Sequence, residues 1–169
     1  FFIKTNKELY KIFTSERNLL ADTLTPVSIY QKVRDNFSNT LLLESSDYGA
    51  NDNSYAYVCF NPIAHISISE NLISKSFPDG KKENIEINQN INVVKQIDNF
   101  CKLFECKKND KKFINNGVFG YMNYDSVKYF ESINIKVKEN NTNIPEIYYA
   151  FYSNIIVINV FNNEAKLFH

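Results

Sequence analysis

The chain has no tryptophan, one methionine, four glycines, four prolines and two histidines in 169 residues. With so few glycines, the phosphate-cradling loops have little to be built from, and neither a P-loop nor a dinucleotide-binding fingerprint is present. Two isolated histidines, His65 in an alternating run and His169 at the last position, leave no metal-ligand pair. The three cysteines, Cys59, Cys101 and Cys106, are an odd set with no CxxC. That argues against a disulfide framework and for a reducing compartment. No basic excess exists either, because Lys plus Arg equals Asp plus Glu at 19 each. The densest basic cluster, Lys107, Lys108, Lys111 and Lys112, is broken by Asn109 and Asp110. It reads as a solvated loop rather than a nucleic-acid face. No apolar run approaches the ~20 residues of a membrane helix, and IIVINV at 155–160 has the length of a buried strand.

What is present suits a packed interior: 44% hydrophobic residues, with 11 Tyr and 14 Phe. One domain over 1–169, soluble and cytoplasmic, is the expectation. Residues 10–22 read as an extended opening segment. Thr25-Pro26 starts a helix over 26–37, with Ile29, Tyr30, Val33 and Phe37 on one face. TLLLE then resumes as a strand. SYAYVCF at 54–60 alternates with both faces apolar, and Pro62 is expected to stop it. AHISIS and ENLISKSF continue the β character, and Asp79-Gly80 makes a hairpin turn. Val93, Val94, Ile97, Phe100, Cys101 and Phe104 predict a second helix over 92–106. DSVKYFE predicts a short helix with Val127 and Phe130 inward. Residues 146–161 read as two strand segments, Asn162-Asn163 as a tight turn and EAKLFH as a closing edge strand. About eight or nine strands with two main helices and one short one define an α+β class.

Catalytic constellations are absent from the motifs. Gly117-x-x-Gly120 lacks a phosphate-loop context, and the pair reads as an unusual backbone angle or a close strand contact. Asp125 and Glu131 flank the short helix without a metal-binding pattern, and Glu44 with Asp47 ends an apolar strand. By composition alone Glu44 is a strand end turned to water.

Taken together, LLADTLTPVSIYQKVR, LLLESSDYGANDNSYAYVCFNPIAHISI and NGVFGYMNYDSVKYFE resemble the N-terminal domain of anthranilate synthase component I, over about residues 10–168. The matching pieces are Leu20-Ala21-Asp22, Thr25-Pro26-Val27-Ser28, Leu42-Leu43-Glu44-Ser45, Ser54-Tyr55-Ala56-Tyr57 and Gly117 to Glu131. One departure is Ser54, where the family commonly carries Arg. The resemblance implies an α+β fold of antiparallel sheets packed in layers with about two main helices outside. It implies a regulatory domain of an enzyme that converts chorismate and ammonia to anthranilate and pyruvate. A glutamine amidotransferase subunit supplies the ammonia. Chorismate and Mg²⁺ belong to a C-terminal domain whose motifs have no counterpart here, so no catalytic or metal residue is carried over and this chain alone is expected to be inactive. The carried-over site is for the effector L-tryptophan: Leu43, Glu44, Ser45, Tyr55 and Ala56. The related aminodeoxychorismate synthase of folate synthesis and a stand-alone amino-acid sensor are the alternatives; the Glu44-Ser45 pair favours the first reading.

Overall fold

Two long, strongly apolar strands organise the chain in this computed structural model, which describes residues 2–4, 9–44, 54–106, 110–133 and 144–169. In order, the elements are β1 (Phe2–Lys4), β2 (Tyr10–Ile12), β3 (Glu16–Leu20), α1 (Pro26–Arg34), β4 (Leu41–Glu44), β5 (Tyr55–Ser69), β6 (Leu72–Ser76), β7 (Lys82–Glu86), α2 (Val93–Lys102), β8 (Phe104–Cys106), β9 (Val118–Met122), a 3₁₀ helix (Tyr124–Tyr129), β10 (Ile147–Asn159) and β11 (Glu164–Phe168). The architecture is α+β, as expected, with mostly antiparallel sheet.

β5 and β10 pair antiparallel from Ile68↔Ile147 to Tyr55↔Asn159. At one end the sheet continues outward as β4 beside β5, and β11 then β3 beside β10. At the other end β6 and β7 extend β5, and β9 extends β10. Between the two ends the register slips: Ala64 faces Phe151 but Pro62 faces Tyr152, so Ile63 is the extra residue of a bulge. A one-residue slip exchanges which alternate positions point to which face. Accordingly Ile147 and Phe151 pack with Ile66, Ile68, Val93 and Phe100, whereas Ile155 and Val157 pack in a different cluster with Cys59 and Phe168. A third cluster places Ala56, Val58, Ile156 and Ile158 against Ile29 of α1. A small sheet, β1 antiparallel to β2 and β2 parallel to β8, covers the first cluster through Tyr10 and Phe104.

Several sequence expectations change for tertiary reasons. β5 does not stop at Pro62 but runs through it. Pro62 falls between the stretches that pair with β4 and β6, beside the bulge, where a missing N–H costs no ladder bond. Residues 146–161 form one strand, not two, and β11 is not an edge, because β3 covers it. α1 begins at the Thr25–Ser28 capping box but ends at Arg34. α2 ends at Lys102, and the helical spacing at Phe104 belongs to a strand whose ring lies 5.3 Å from that of Tyr10 and 4.1 Å from that of Phe151. The short helix is 3₁₀, with a period of three, so it buries Ser126 and packs Tyr129 on the core while Phe130 stays 41% exposed.

Candidate functional site

β4 is short, and its register against β5 settles where the proposed effector residues stand. Leu43 faces Tyr57 and Glu44 faces Ala56. Residues directly opposite in an antiparallel pair share a face of the sheet. Leu43 therefore lies with Tyr57 and Tyr55 on one side, and Glu44 with Ala56 on the other. The first side is already walled by aromatic packing: Tyr55 lies 5.3 Å from Phe113, and Tyr57 lies 5.7 Å from Phe119, ring centre to ring centre. The Tyr57 hydroxyl accepts from the Ile114 backbone N–H at 3.4 Å, and burial pushes its pKa up. On the second side Ala56 is fully buried in the cluster beneath α1, with Ile158 as its partner on β10. Glu44 at the strand's end is exposed. Ser45, and the GANDN turn expected to bring it to Tyr55, lie outside the described residues. The structure thus joins Glu44 to Ala56 and Leu43 to the Tyr55–Tyr57 row, and the two sets meet only at the end of the strand pair.

Two glycines of the GVFGY stretch are confirmed in structural roles. Gly117 adopts φ +125°, and a Cβ on Gly120 would fall 1.8 Å from the Tyr148 carbonyl oxygen. The segment after them carries a polar cluster that sequence reading did not single out. Glu146, 9% exposed, receives the Lys128 amine at 2.5 Å and the Tyr129 hydroxyl. Its backbone carbonyl accepts from the Ser126 hydroxyl and the Asn123 N–H, each at 2.8 Å. Burial, then the Glu146 carboxylate, holds the Tyr129 pKa far above the usual tyrosine range. The signal available was an acid trapped between Pro145 and an unbroken apolar strand. Cys59 is fully buried, with its thiol pushed up to about 12 by desolvation, and so is inert at neutral pH. Asp125 and Glu131 do not converge with other ligands: among the described residues no three His, Cys, Asp or Glu side chains could hold a metal. These residues therefore do not fit Mg²⁺, and no step is derived through it. Among the same residues no helix is long and apolar enough to cross a membrane.

The fold defines the class, that of anthranilate synthase component I. The crystal structure of anthranilate synthase component I from Streptococcus pneumoniae TIGR4 superposes over 89% of this chain and 30% of its own, with a TM-score of 0.50 and 15% identity. In sequence, anthranilate synthase component 1 of Lactococcus lactis subsp. lactis (strain IL1403) is 23% identical over 142 residues, covering 83% of this chain and 29% of that protein. The same component from Aquifex aeolicus (strain VF5) is 25% identical over 136 residues, covering 79% of this chain and 26% of that protein. No family profile matches the chain. The chain spans less than a third of the length of these relatives. The resemblance carried by the LLES and GVFGY stretches therefore holds in both sequence and fold.

Proposed function

We propose that this chain is the N-terminal regulatory domain of an anthranilate synthase component I in tryptophan biosynthesis, and that it forms the effector half-site for L-tryptophan. In this reading the whole enzyme is a lyase that converts chorismate, with ammonia drawn from glutamine by an amidotransferase subunit, to anthranilate and pyruvate. Chorismate and Mg²⁺ belong to a C-terminal catalytic domain, and the assembly is cytoplasmic. The names of the sequence relatives support this reading over the aminodeoxychorismate synthase one.

The observation that carries the effector assignment is the pairing of Glu44 with Ala56 at the exposed end of β4, one strand-step from Tyr55. An exposed carboxylate meets an α-ammonium through charge-assisted hydrogen bonds. Next to it, Ser45 supplies a hydroxyl and a small volume, and Leu43 and Tyr55 supply apolar and aromatic surface for an indole. Feedback then follows from differential binding: tryptophan favours the inactive arrangement of the two domains and chorismate the active one, each weakening the other by the same factor.

The test uses the full-length enzyme with chorismate, Mg²⁺ and ammonium, following anthranilate fluorescence against added tryptophan. Ser45→Phe fills the half-site and is expected to abolish inhibition while turnover persists. Inhibition unchanged in that variant overturns the assignment. The present chain assayed alone should give no anthranilate, and robust turnover by it refutes the regulatory reading.

A further inference from the structure

We propose that a second cavity, away from the effector residues, binds a neutral small molecule that carries a ring and an N–H donor. Its volume is about 320 Å³, and small-molecule pockets begin at about 300 Å³. Four separate stretches converge on it: the β2–β3 connection, the approach to β9, the slipped part of β10 and the end of β11. None of Leu43, Glu44, Tyr55 or Ala56 lines it, so this proposal stands or falls independently of the effector reading.

The bulge makes the floor. Ile63, left without a β10 partner by the register slip, lines the cavity together with Phe151 and Phe168. Such a floor rewards an apolar ring through the area it removes from water. The polar demand comes from Asn115: its side-chain carbonyl oxygen is buried and has no hydrogen-bond partner, although the residue lines the cavity. An unpaired buried acceptor is costly, and a ligand N–H removes that cost on binding. Among the described residues no Asp, Glu, Lys or Arg side chain lines the cavity, and the His169 ring stands 3.1 Å from the Ser15 hydroxyl. With no countercharge at the wall, a charged ligand would lose its hydration without replacement. The selection is therefore for an uncharged ring amide over its acidic and basic analogues.

Benzamide is the probe, compared with benzoate and benzylammonium on the ¹⁵N-labelled chain. Benzamide is expected to give saturable shifts at the Gly117, Ser153 and Ile155 amides, and the charged analogues none there. Asn115→Leu keeps the shape but loses the acceptor, and should weaken benzamide about tenfold, the worth of one such hydrogen bond. Thr14→Trp, at an exposed lining position that leaves the core untouched, should block the mouth and abolish the shifts even if Asn115→Leu does not fold. Absence of saturable shifts with benzamide, equal shifts with benzoate or benzylammonium, or shifts undiminished by Thr14→Trp would each overturn the proposal.

Discussion

Gly120 faces Tyr149 across the β9–β10 ladder with its Cα so close to the Tyr148 carbonyl that a methyl group on it would overlap that oxygen. Gly117, three residues earlier, has open space around it but a positive φ. The two glycines of one motif are thus required for different reasons, backbone contact and backbone angle. Gly120→Ala must push two central strands apart and should cost about 3 kcal/mol or more. Gly117→Ala bears only a strained dihedral and should cost about 1–2 kcal/mol. Urea denaturation midpoints of the two variants should rank in that order.

Tyr129 and Glu146 predict an alkaline limit to stability. The Tyr129 pKa is raised by burial and by its bond to the Glu146 carboxylate, and burial likewise raises Tyr152, whose hydroxyl donates to the Asn39 carbonyl at 2.9 Å. A raised folded pKa means that the unfolded chain releases its protons first as pH rises. The stabilisation is therefore complete below the ordinary tyrosine value of ~10 and is lost progressively above it. Thermal midpoints should be flat from pH 7 to 9 and fall steeply beyond pH ~10. Tyr129→Phe should be less stable at pH 7 by about 1–3 kcal/mol, because Glu146 loses a charge-assisted bond, and should show a shallower alkaline decline.

Local chemistry was legible in the sequence, and long-range geometry was not. Thr25 and Asn92 cap α1 and α2 where their side chains and the following residues imply, since a cap depends only on neighbours three positions away. Asp79-Gly80 likewise announces its turn, with Gly80 at φ +82°. Pro62 misleads because its tolerance depends on a gap between β4 and β6, which are far from it in sequence. Phe104 misleads because helical spacing and a strand beneath Tyr10 both bury it. The candidate site was half legible for the same reason. Motif order placed Glu44 and Tyr55 near one another, but only the register shows that Leu43 and Glu44 look to opposite faces.

One turn escaped the sequence reading altogether and can be improved. Glu70 and Asn71 join β5 to β6 with both φ values positive, 50° and 81°. That is the backbone of a two-residue hairpin turn whose preferred residues are Asn and Gly. Glu is a poor occupant of the left-handed region, which is why the stretch read as continuous strand. Replacing Glu70-Asn71 by Asn-Gly should stabilise the chain by about 1 kcal/mol, seen as a higher urea midpoint with an unchanged slope.

The face division at β4 separates two kinds of variant in the effector half-site. Leu43 is half-buried in the aromatic cluster with Tyr57, so its side chain contributes packing. Leu43→Ala should cost about 2 kcal/mol of stability. Glu44 is exposed on the other face and packs against little, so Glu44→Gln should leave stability within about 0.5 kcal/mol. Its carboxylate nonetheless supplies the charge that an amino-acid ammonium needs, and an amide cannot replace it. In the full-length enzyme Glu44→Gln should raise the tryptophan concentration for half-inhibition at least about tenfold, one charge-assisted hydrogen bond's worth, with kcat for ammonia-dependent turnover unchanged. A Glu44→Gln enzyme still inhibited at wild-type tryptophan concentrations would remove Glu44 from the ligand and leave it as the solvent-facing end of a strand.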